Sequence, residues 1–152
     1  MEAAEEALKA GKILHIGATG HRDPAAHLRA LDDPRIETIQ MPINALDFHF
    51  ESFQKGPFAK AKEKGVGRIA MKTCSSGNAI SKGAYTVDEA LRYVWTLGPD
   101  VLVSGMATIE HLEHNVALAK SFTPMSEEEK MAVLDKCGAM AGTDIEWYKK
   151  RG

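Results

Sequence analysis

Polar and small residues end four β-rich runs of this sequence, and these run ends are where binding chemistry is expected. They comprise the segments Thr19 to Asp23, Gln40 to Asp47, Met71 to Gly83 and Gly105 to Thr108. Ligands of parallel α/β sheets bind outside the carboxyl ends of the strands. If the runs are parallel strands, the sequence therefore predicts one ligand site built from four separate segments.

Gln40 gives the strongest single indication of a binding role. Strands that are buried on both faces are otherwise apolar, so a polar residue at the carboxyl end of such a strand is informative. The amide of Gln40 can both donate and accept hydrogen bonds. The alternative interpretation is a solvated strand end with no ligand.

Two further segments have features of phosphate binding. Gly105 to Thr108, which includes Met106, leads directly from a strand into a helix, whose free N–H groups and positive dipole end favour an anion. The loop Thr73 to Gly77 is made of small residues, so its backbone N–H groups could approach a pyrophosphate. Lys72 precedes that loop and could face a phosphate or a substrate. The alternatives are a plain loop, an exposed lysine and an N-cap role for Thr108, which is compatible with anion binding.

The elements that must position these residues are repeated β/α units, because short β-rich runs alternate with segments of helical period. Connections between such units are right-handed and make the strands parallel. The predicted fold class is therefore α/β with parallel β/α units, and the pattern alone leaves open whether the sheet closes, stays open or forms half of a larger barrel. The predicted strands are 12–17, 36–41, 67–72 and 100–105, and the predicted helices are 3–10, one opening at Asp23-Pro24, 52–64, 86–97, 108–119 and 126–138.

Helix boundaries and buried helix faces follow from local signals. Thr86 with Glu89, and Ser126 with Glu129, have the spacing of capping boxes. Gly65 is a helix end. By their helical spacing, two sets of apolar residues are predicted to be buried, namely Leu91, Val94 and Trp95 on one helix and Leu112 and Val116 on another.

The bulk composition excludes several classes of function. The chain has 152 residues, 44% of them hydrophobic, and a net charge of −2 with both signs interspersed, so it is of single-domain size and nucleic acid is not an expected partner. No apolar run approaches the roughly 20 residues that span a bilayer. The acidic start, Met1 to Glu6, lacks the character of a signal peptide, so no membrane partner is expected and the cytoplasm is the expected compartment.

The spacing of the cysteines and histidines does not indicate a metal site. Cys74 and Cys137 lie too far apart for a metal-ligand spacing and are expected to be reduced thiols. Glu110, His111 and His114 are close by helical spacing, but no second ligand pair accompanies them, so no metal is expected.

Read in order, the strand ends and their helices resemble aldo/keto reductases from the fifth strand of that family to its last helices. The matching segments are GKILHIGATGHRDPAAHL, IETIQMPINALD, GVGRIAMKTCSSGNAI and VLVSGMATIEHLEHNVALA, followed by FTPMSEEEK. Their order and spacing carry the resemblance, which extends from about Ala4 to Lys136. Members of the family are eight-stranded β/α barrels that transfer a hydride between NADPH or NADH and a carbonyl group. The resemblance implies that residues 1–152 form one domain, half of a (β/α)8 TIM-type barrel.

The resemblance also implies a site for NADP or NAD. Thr19 and Gly20 stand where many members have a Ser-Asn pair that contacts the nicotinamide carboxamide, and Gln40 matches a glutamine with the same contact. Met71 stands where a number of members stack a tyrosine on the nicotinamide ring. A thioether can still pack against an aromatic face. A loop threonine, a turn glycine and a core methionine are the alternatives.

On the last β/α unit, the resemblance implies contacts with the adenosine part. His111 and Asn115 take the basic and amide positions of the family, and His114 stands where an acidic residue often occurs. Histidine is mostly neutral at pH 7, which weakens the case for a 2′-phosphate. The choice between NADP and NAD stays open.

No catalytic residue is implied, because the family's Asp, Tyr, Lys and His come from the first half of its barrel. Tyr85, Lys82 and His15 do not match those positions. Met1 would fall inside the helix before the family's fifth strand, so the chain is expected to be a gene fragment, a truncated reading frame or a deliberate half-barrel.

Two hypotheses follow for the function. The chain is part of an NAD(P)H-dependent oxidoreductase that acts on a carbonyl substrate only when a first half is supplied, or it is a non-enzymatic half-barrel that at most binds a nucleotide or phosphate. Open sheet edges near Lys12 and Asp100 predict a homo-oligomer under either hypothesis.

Overall fold

Alternating helices and strands make up this protein, whose computed structural model describes residues 1–150. The elements are α1 (Glu2–Lys9), β1 (Ile16–Thr19), α2 (Pro24–Ala30), β2 (Ile36–Pro42), α3 (Ala59–Lys64), β3 (Gly67–Met71), α4 (Asn78–Ser81), α5 (Val87–Thr96), β4 (Val101–Leu102), α6 (Ile109–Lys120) and α7 (Glu127–Cys137). A π-helical stretch, Gln54–Phe58, leads into α3, and single 3-10 turns occur at Ser75–Gly77, Gly138–Met140 and Trp147–Lys149.

The four strands form one parallel sheet in the order β1-β2-β3-β4. The predicted α/β class with parallel β/α units is therefore confirmed. Each strand lies beside the next in sequence, because right-handed crossovers through the helices return the chain to the neighbouring position. This arrangement leaves β1 and β4 at the two edges of the sheet.

The bounds of the two edge strands were predicted wrongly. The first strand begins at Ile16, not at position 12, because Ile16 is the first residue that pairs with β2, while Leu14 before it is 80% exposed. The last strand is limited to Val101–Leu102, since it has a neighbour on one side alone. One further ladder bond continues beyond it, from Val103 N to Ala70 O at 2.8 Å.

The helix-end signals in the sequence are confirmed. Asp23 accepts from Ala25 N at 2.9 Å with Pro24 at the first helical position of α2. Thr86 and Ser126 form complete capping boxes with their glutamates at the starts of α5 and α7. Gly65 ends α3 in the left-handed conformation, which a glycine adopts without steric cost.

The two faces of the sheet differ in burial. Ile39, Met41 and Ala70 point to one face and are fully buried in the core that the helices form. Ile69 pairs in register with Val101, so these two side chains share the opposite face with Val103, since side chains alternate along a strand. Val101 is 51% exposed and Val103 is 47% exposed. One face of the sheet is thus covered by helices, and the other, hereafter the uncovered face, is open.

One predicted buried helix face is confirmed and one is wrong. Leu91 and Val94 of α5 are fully buried, and Trp95 is half-buried against Phe122. On α6, by contrast, no residue is buried, and Leu112 and Val116 are 42% and 41% exposed. The helical period of α6 was read correctly, but within residues 1–150 no element packs over its apolar side.

Both thiols are free, as predicted, and burial raises the pKa of each of them, that of Cys137 to about 11. Among the helices of residues 1–150, none has the length and apolar character that crossing a membrane requires. Over the same residues, no three His, Cys, Asp or Glu side chains are grouped so that they could hold a metal ion.

Gly17 is the glycine at which a side chain is expected to be least tolerated. It faces Thr38 of β2, and an added methyl group would lie well inside van der Waals contact with Thr38 Oγ1. Gly67 borders Thr38 on β3, and a methyl group added there would meet Thr38 Cγ2 at 3.2 Å, so Thr38 has little room on that strand either. We expect Gly17→Ala to lower the free energy of unfolding by about 1 to 3 kcal/mol through overpacking, as measured by urea denaturation.

Two further variants test this cause. Thr38→Ala removes the clashing hydroxyl, so Gly17→Ala should cost less in that background than in the wild type. Gly56→Ala is the control, because no atom lies within 4 Å of its added methyl group. An equal loss of stability at Gly17 and Gly56 would contradict the steric explanation.

Candidate functional site

Three of the predicted site residues meet where β1, β2 and β3 end. Thr19 pairs in register with Gln40, and Gln40 Nε2 donates to Met71 Sδ at 3.4 Å. Thr19 is exposed, while Gln40 and Met71 are half-buried. The structure therefore brings a hydroxyl, an amide and a thioether together on the uncovered face, at the carboxyl ends of adjacent strands.

The turn after β1 is fixed to β2 by two hydrogen bonds to one carbonyl oxygen. Gly20 N donates to Gln40 O at 3.3 Å, and His27 Nε2 donates to the same oxygen at 3.0 Å. A side chain at Gly20 would meet His27 Cε1 at 3.0 Å, so the close approach favours glycine. His27 is 6% exposed and packs edge-on against Phe53. His27 thus positions Gln40, a role that no sequence signal indicated.

A cavity of about 310 Å³ lies beside this turn. It is lined by the segment from Ala18 to Asp23 and by the α2 residues Ala26, His27 and Ala30. A second cavity, of about 400 Å³, lies between the α5 residues around Arg92 and Trp95 and the Ser121 to Met125 loop. Of the two, only the first includes predicted site residues, namely Thr19 and Gly20.

The loop after β3 has an unusual backbone. Lys72, Ser75 and Ser76 have φ values of 59°, 49° and 58°, in the left-handed region that residues other than glycine seldom adopt. Hydrogen bonds from Ser75 N to Lys72 O and from Gly77 N to Cys74 O, both 2.8 Å, hold the turns. Such conformations cluster at functional sites, because the surrounding structure must stabilise them.

Within this loop, the predicted residues have different environments. Lys72 is half-buried and its Nζ donates to Ser76 Oγ at 3.0 Å. Thr73 is 4% exposed, and among residues 1–150 its Oγ1 has no hydrogen-bond partner. Lys72 is therefore partly accessible to solvent, while the side chain of Thr73 is enclosed.

The residues predicted on the last β/α unit lie on an open surface. Gly105, Met106, Thr108 and His111 are exposed, and Thr108 caps α6 by accepting from His111 N at 3.3 Å. Asn115 is half-buried and donates to Ser104 Oγ at 3.0 Å. In the described part of the chain, no hydrogen bond links this group to Thr19, Gln40 or Met71.

A buried ionic cluster lies under the strand ends, and the sequence analysis missed it. Lys149 Nζ contacts Asp47 Oδ1 at 2.7 Å, Glu146 Oε1 at 3.0 Å and the carbonyl oxygen of Phe50 at 2.7 Å. Lys149 is 1% exposed and both carboxylates are fully buried. Burial raises the pKa of both Asp47 and Glu146, while Lys149 opposes that shift.

The hydroxyl of Tyr148 joins this cluster to the loops after β2 and β3. It donates to Glu146 Oε1 at 3.1 Å and accepts from Asn44 Nδ2 at 3.1 Å, and Ser75 Oγ lies 3.4 Å away. Burial raises the pKa of Tyr148 strongly. The segment Ile145 to Lys149 is thereby anchored at the carboxyl ends of the strands. A lone Glu-x-Tyr-Lys sequence gives no signal of this contact, since its partners are about a hundred residues away.

Three other side chains surround the ring of Tyr148. Its ring centroid lies 5.8 Å from that of His21 and 6.0 Å from that of Trp147, both in edge-on orientation. Lys72 Nζ lies 5.7 Å from the centroids of both Tyr148 and Trp147. Trp147 is 51% exposed, whereas Tyr148 is 2% exposed.

Fold and site together define an α/β chain of four parallel β/α units whose polar and aromatic residues collect at the carboxyl ends of the strands. The sequence matches no protein-family model and no curated protein.

Among solved structures, the chain is similar to the apo form of the aldo-keto reductase AKR11C1 from Bacillus halodurans, with a TM-score of 0.69 and 19% sequence identity. The alignment covers 95% of this chain and 58% of that chain, so this chain spans little more than half the length of the reductase. At this identity the likeness shows the fold, in which the four units match half of a TIM-type barrel.

Proposed function

We propose that this chain binds NADPH or NADH at the carboxyl ends of its strands, as the cofactor-holding part of an oxidoreductase of the aldo/keto reductase type. The observation that carries the proposal is the meeting of Thr19, Gln40 and Met71 on the uncovered face. A hydroxyl and an amide supply donors and acceptors for a carboxamide, and a thioether packs favourably against a planar ring. Gly20 leaves room beside them.

The phosphates of the cofactor are proposed to lie near Lys72 and the loop that begins with Thr73, where an ammonium group and backbone N–H groups are available. The adenosine part is proposed to reach the start of α6, at Gly105, Met106, Thr108, His111 and Asn115. A histidine there, in place of the arginine that binds phosphate in two places at once, gives little preference for a 2′-phosphate, so NADP and NAD are both candidates.

Turnover by this chain alone is not expected. Tyr148, Lys149 and Asp47 lie side by side, but the Tyr148 hydroxyl is enclosed and already has partners within the cluster. Tyr85 is 2% exposed and donates to Thr73 O, Lys82 donates to Asp144 O, and His15 pairs with Glu37. General acid catalysis needs a group within hydrogen-bond reach of the carbonyl oxygen. The carbonyl substrate is therefore a proposed partner only when another chain supplies that group.

A fluorescence titration of the purified chain with NADPH and with NADH tests the proposal, with carbonyl-dependent oxidation of the cofactor followed in the same samples. Binding without oxidation is the expected result. Oxidation would show that the chain holds a catalytic group after all. If neither NADPH nor NADH binds at any concentration, the proposed function is contradicted.

Gln40→Leu is expected to weaken NADPH binding about 2- to 12-fold, because one hydrogen-bonding side chain contributes about 0.5 to 1.5 kcal/mol. Leucine keeps a similar volume against Met71 and so preserves the packing. Glu37→Gln is the matched control, since Glu37 is exposed at the amino end of the same strand. A dissociation constant that is the same for both variants would contradict a role for Gln40 in binding.

A second candidate function is that of a self-associating half-barrel with no enzymatic role. The observation in its favour is the exposure of apolar side chains on the uncovered face and along α6, at Val101, Val103, Ile109, Leu112 and Val116. Exposed apolar side chains grouped on one element are typical of an interaction site. A homo-oligomer is proposed under both functions.

A further inference from the structure

Trp147 combines strong exposure with an immobilised backbone. Its neighbours in sequence, Glu146 and Tyr148, are 0% and 2% exposed, while its own side chain is 51% exposed. The three residues from Trp147 to Lys149 form a single 3-10 turn. The indole is therefore presented to solvent by a segment that is buried on either side of it.

The ionic cluster is what fixes this turn. Lys149 forms three contacts of 3.0 Å or less with Asp47, Glu146 and the backbone of Phe50. Buried ion pairs add little net stability, because desolvation of the charges offsets their attraction. The arrangement is better explained by what it holds in place, namely Tyr148 in the cluster and Trp147 on the surface. An aromatic residue on a fixed backbone binds a ligand with a smaller entropic cost than one on a mobile segment.

The surface around Tyr148 has the chemistry of a site for a ring that carries an anion. Trp147 offers an aromatic face, and Lys72 brings an ammonium group to 5.7 Å from its centroid. The His21 ring also lies against the Tyr148 ring, with 5.8 Å between their centroids, and among residues 1–150 its Nδ1 atom has no hydrogen-bond partner. A buried polar atom without a partner is costly unless a water or a ligand satisfies it.

We propose that Trp147, Lys72 and His21 form a binding surface for a planar base that bears a phosphate group, with the base on the indole and the phosphate near Lys72. This inference rests on the proposed function and deepens it, since each half of a nicotinamide dinucleotide is such a group. The proposal adds a ligand contact in the segment Ile145 to Lys149. The residues at the strand ends alone do not predict such a contact. The base is the nicotinamide ring, because the proposed function places the adenosine part at the start of α6.

The two tryptophans of the chain permit a direct test. In Trp95→Phe, Trp147 is the sole indole; in Trp147→Phe, the sole indole is Trp95, which packs against Phe122. Indole emission is followed during titration with 5′-AMP, adenosine and nicotinamide mononucleotide. We expect nicotinamide mononucleotide to quench the emission of the Trp95→Phe variant and not that of Trp147→Phe. Quenching by 5′-AMP and not by nicotinamide mononucleotide would contradict the choice of the nicotinamide ring, and adenosine shows the contribution of the phosphate because it has none.

The affinity for NADPH is measured separately from the emission of the cofactor itself. Stacking of a base on an aromatic side chain is worth about 1 to 3 kcal/mol, so Trp147→Ala should weaken binding roughly 5- to 150-fold. Trp147→Phe should restore most of the loss, because phenylalanine still offers a ring. The denaturation midpoint should stay that of the wild type in both variants, since half of the indole is exposed.

The outcomes separate the inference from the proposed function. NADPH binding that is unchanged in Trp147→Ala, with no quenching of Trp147, overturns the inference and leaves the proposed function intact. If a mononucleotide quenches Trp147 but neither NADPH nor NADH binds, the proposed binding surface is supported and the proposed binding of a dinucleotide is contradicted. If no nucleotide binds to the wild type, both are overturned.

Discussion

Lys149→Met is expected to lower the free energy of unfolding by about 3 to 5 kcal/mol, because it leaves two buried carboxylates without their cation. Lys149 is the cation that contacts both Asp47 and Glu146. Domains of this size are stable by about 5 to 15 kcal/mol, so the loss is a large share of the total. The shift is measured as a lower midpoint of urea denaturation at an unchanged slope.

Lys150→Met is the matched control, since Lys150 is the next residue and is exposed. It should change the stability by less than about 0.5 kcal/mol. Equal effects at the two lysines would contradict the buried cluster as the cause.

Of the two carboxylates, Glu146 is expected to be destabilised more by the loss of Lys149. Asp47 also accepts backbone N–H bonds from Phe53 and Gln54, at 3.0 and 2.8 Å, and these remain in the variant. Glu146 Oε2, by contrast, has no hydrogen-bond partner among residues 1–150. Adding Glu146→Gln to Lys149→Met removes the uncompensated charge and should recover part of the stability. If Lys149→Met alone does not fold, recovery of folding by the double variant gives the same test.

The fold could be predicted from the sequence because its signals are local. The capping boxes at Thr86 and Ser126 and the left-handed glycine at position 65 each depend on a few neighbouring residues. The order of the strands then follows from the handedness of β/α crossovers. Edge strands were harder to bound, because the end of β4 is set by where its pairing with β3 stops.

The site was predictable in part for the same reason. Residues at the carboxyl ends of neighbouring parallel strands must meet, so the proximity of Thr19, Gln40 and Met71 could be expected. The contacts of Lys149 could not, since Asp47 lies 102 positions away. The burial of α6 was predicted wrongly because helical periodicity identifies an apolar face but not whether another element covers it.

Val103→Lys is expected to weaken self-association by about two to four orders of magnitude. The wild type should associate with a second copy, because the uncovered face is apolar and the edge strands β1 and β4 have unpaired backbone groups on one side. A lysine at position 103 would place an ammonium group without a partner in that interface, at a cost of about 3 to 5 kcal/mol.

Met131→Lys separates this specific effect from a general gain in charge. Met131 is 50% exposed on α7, so the substitution adds the same charge at an equally exposed apolar position. Light scattering over a range of protein concentrations gives the mass of each variant. If the wild type is monomeric at every concentration, a second copy does not cover the uncovered face. If all three proteins associate equally, the interface lies elsewhere. If Val103→Lys alone dissociates, the uncovered face is the interface.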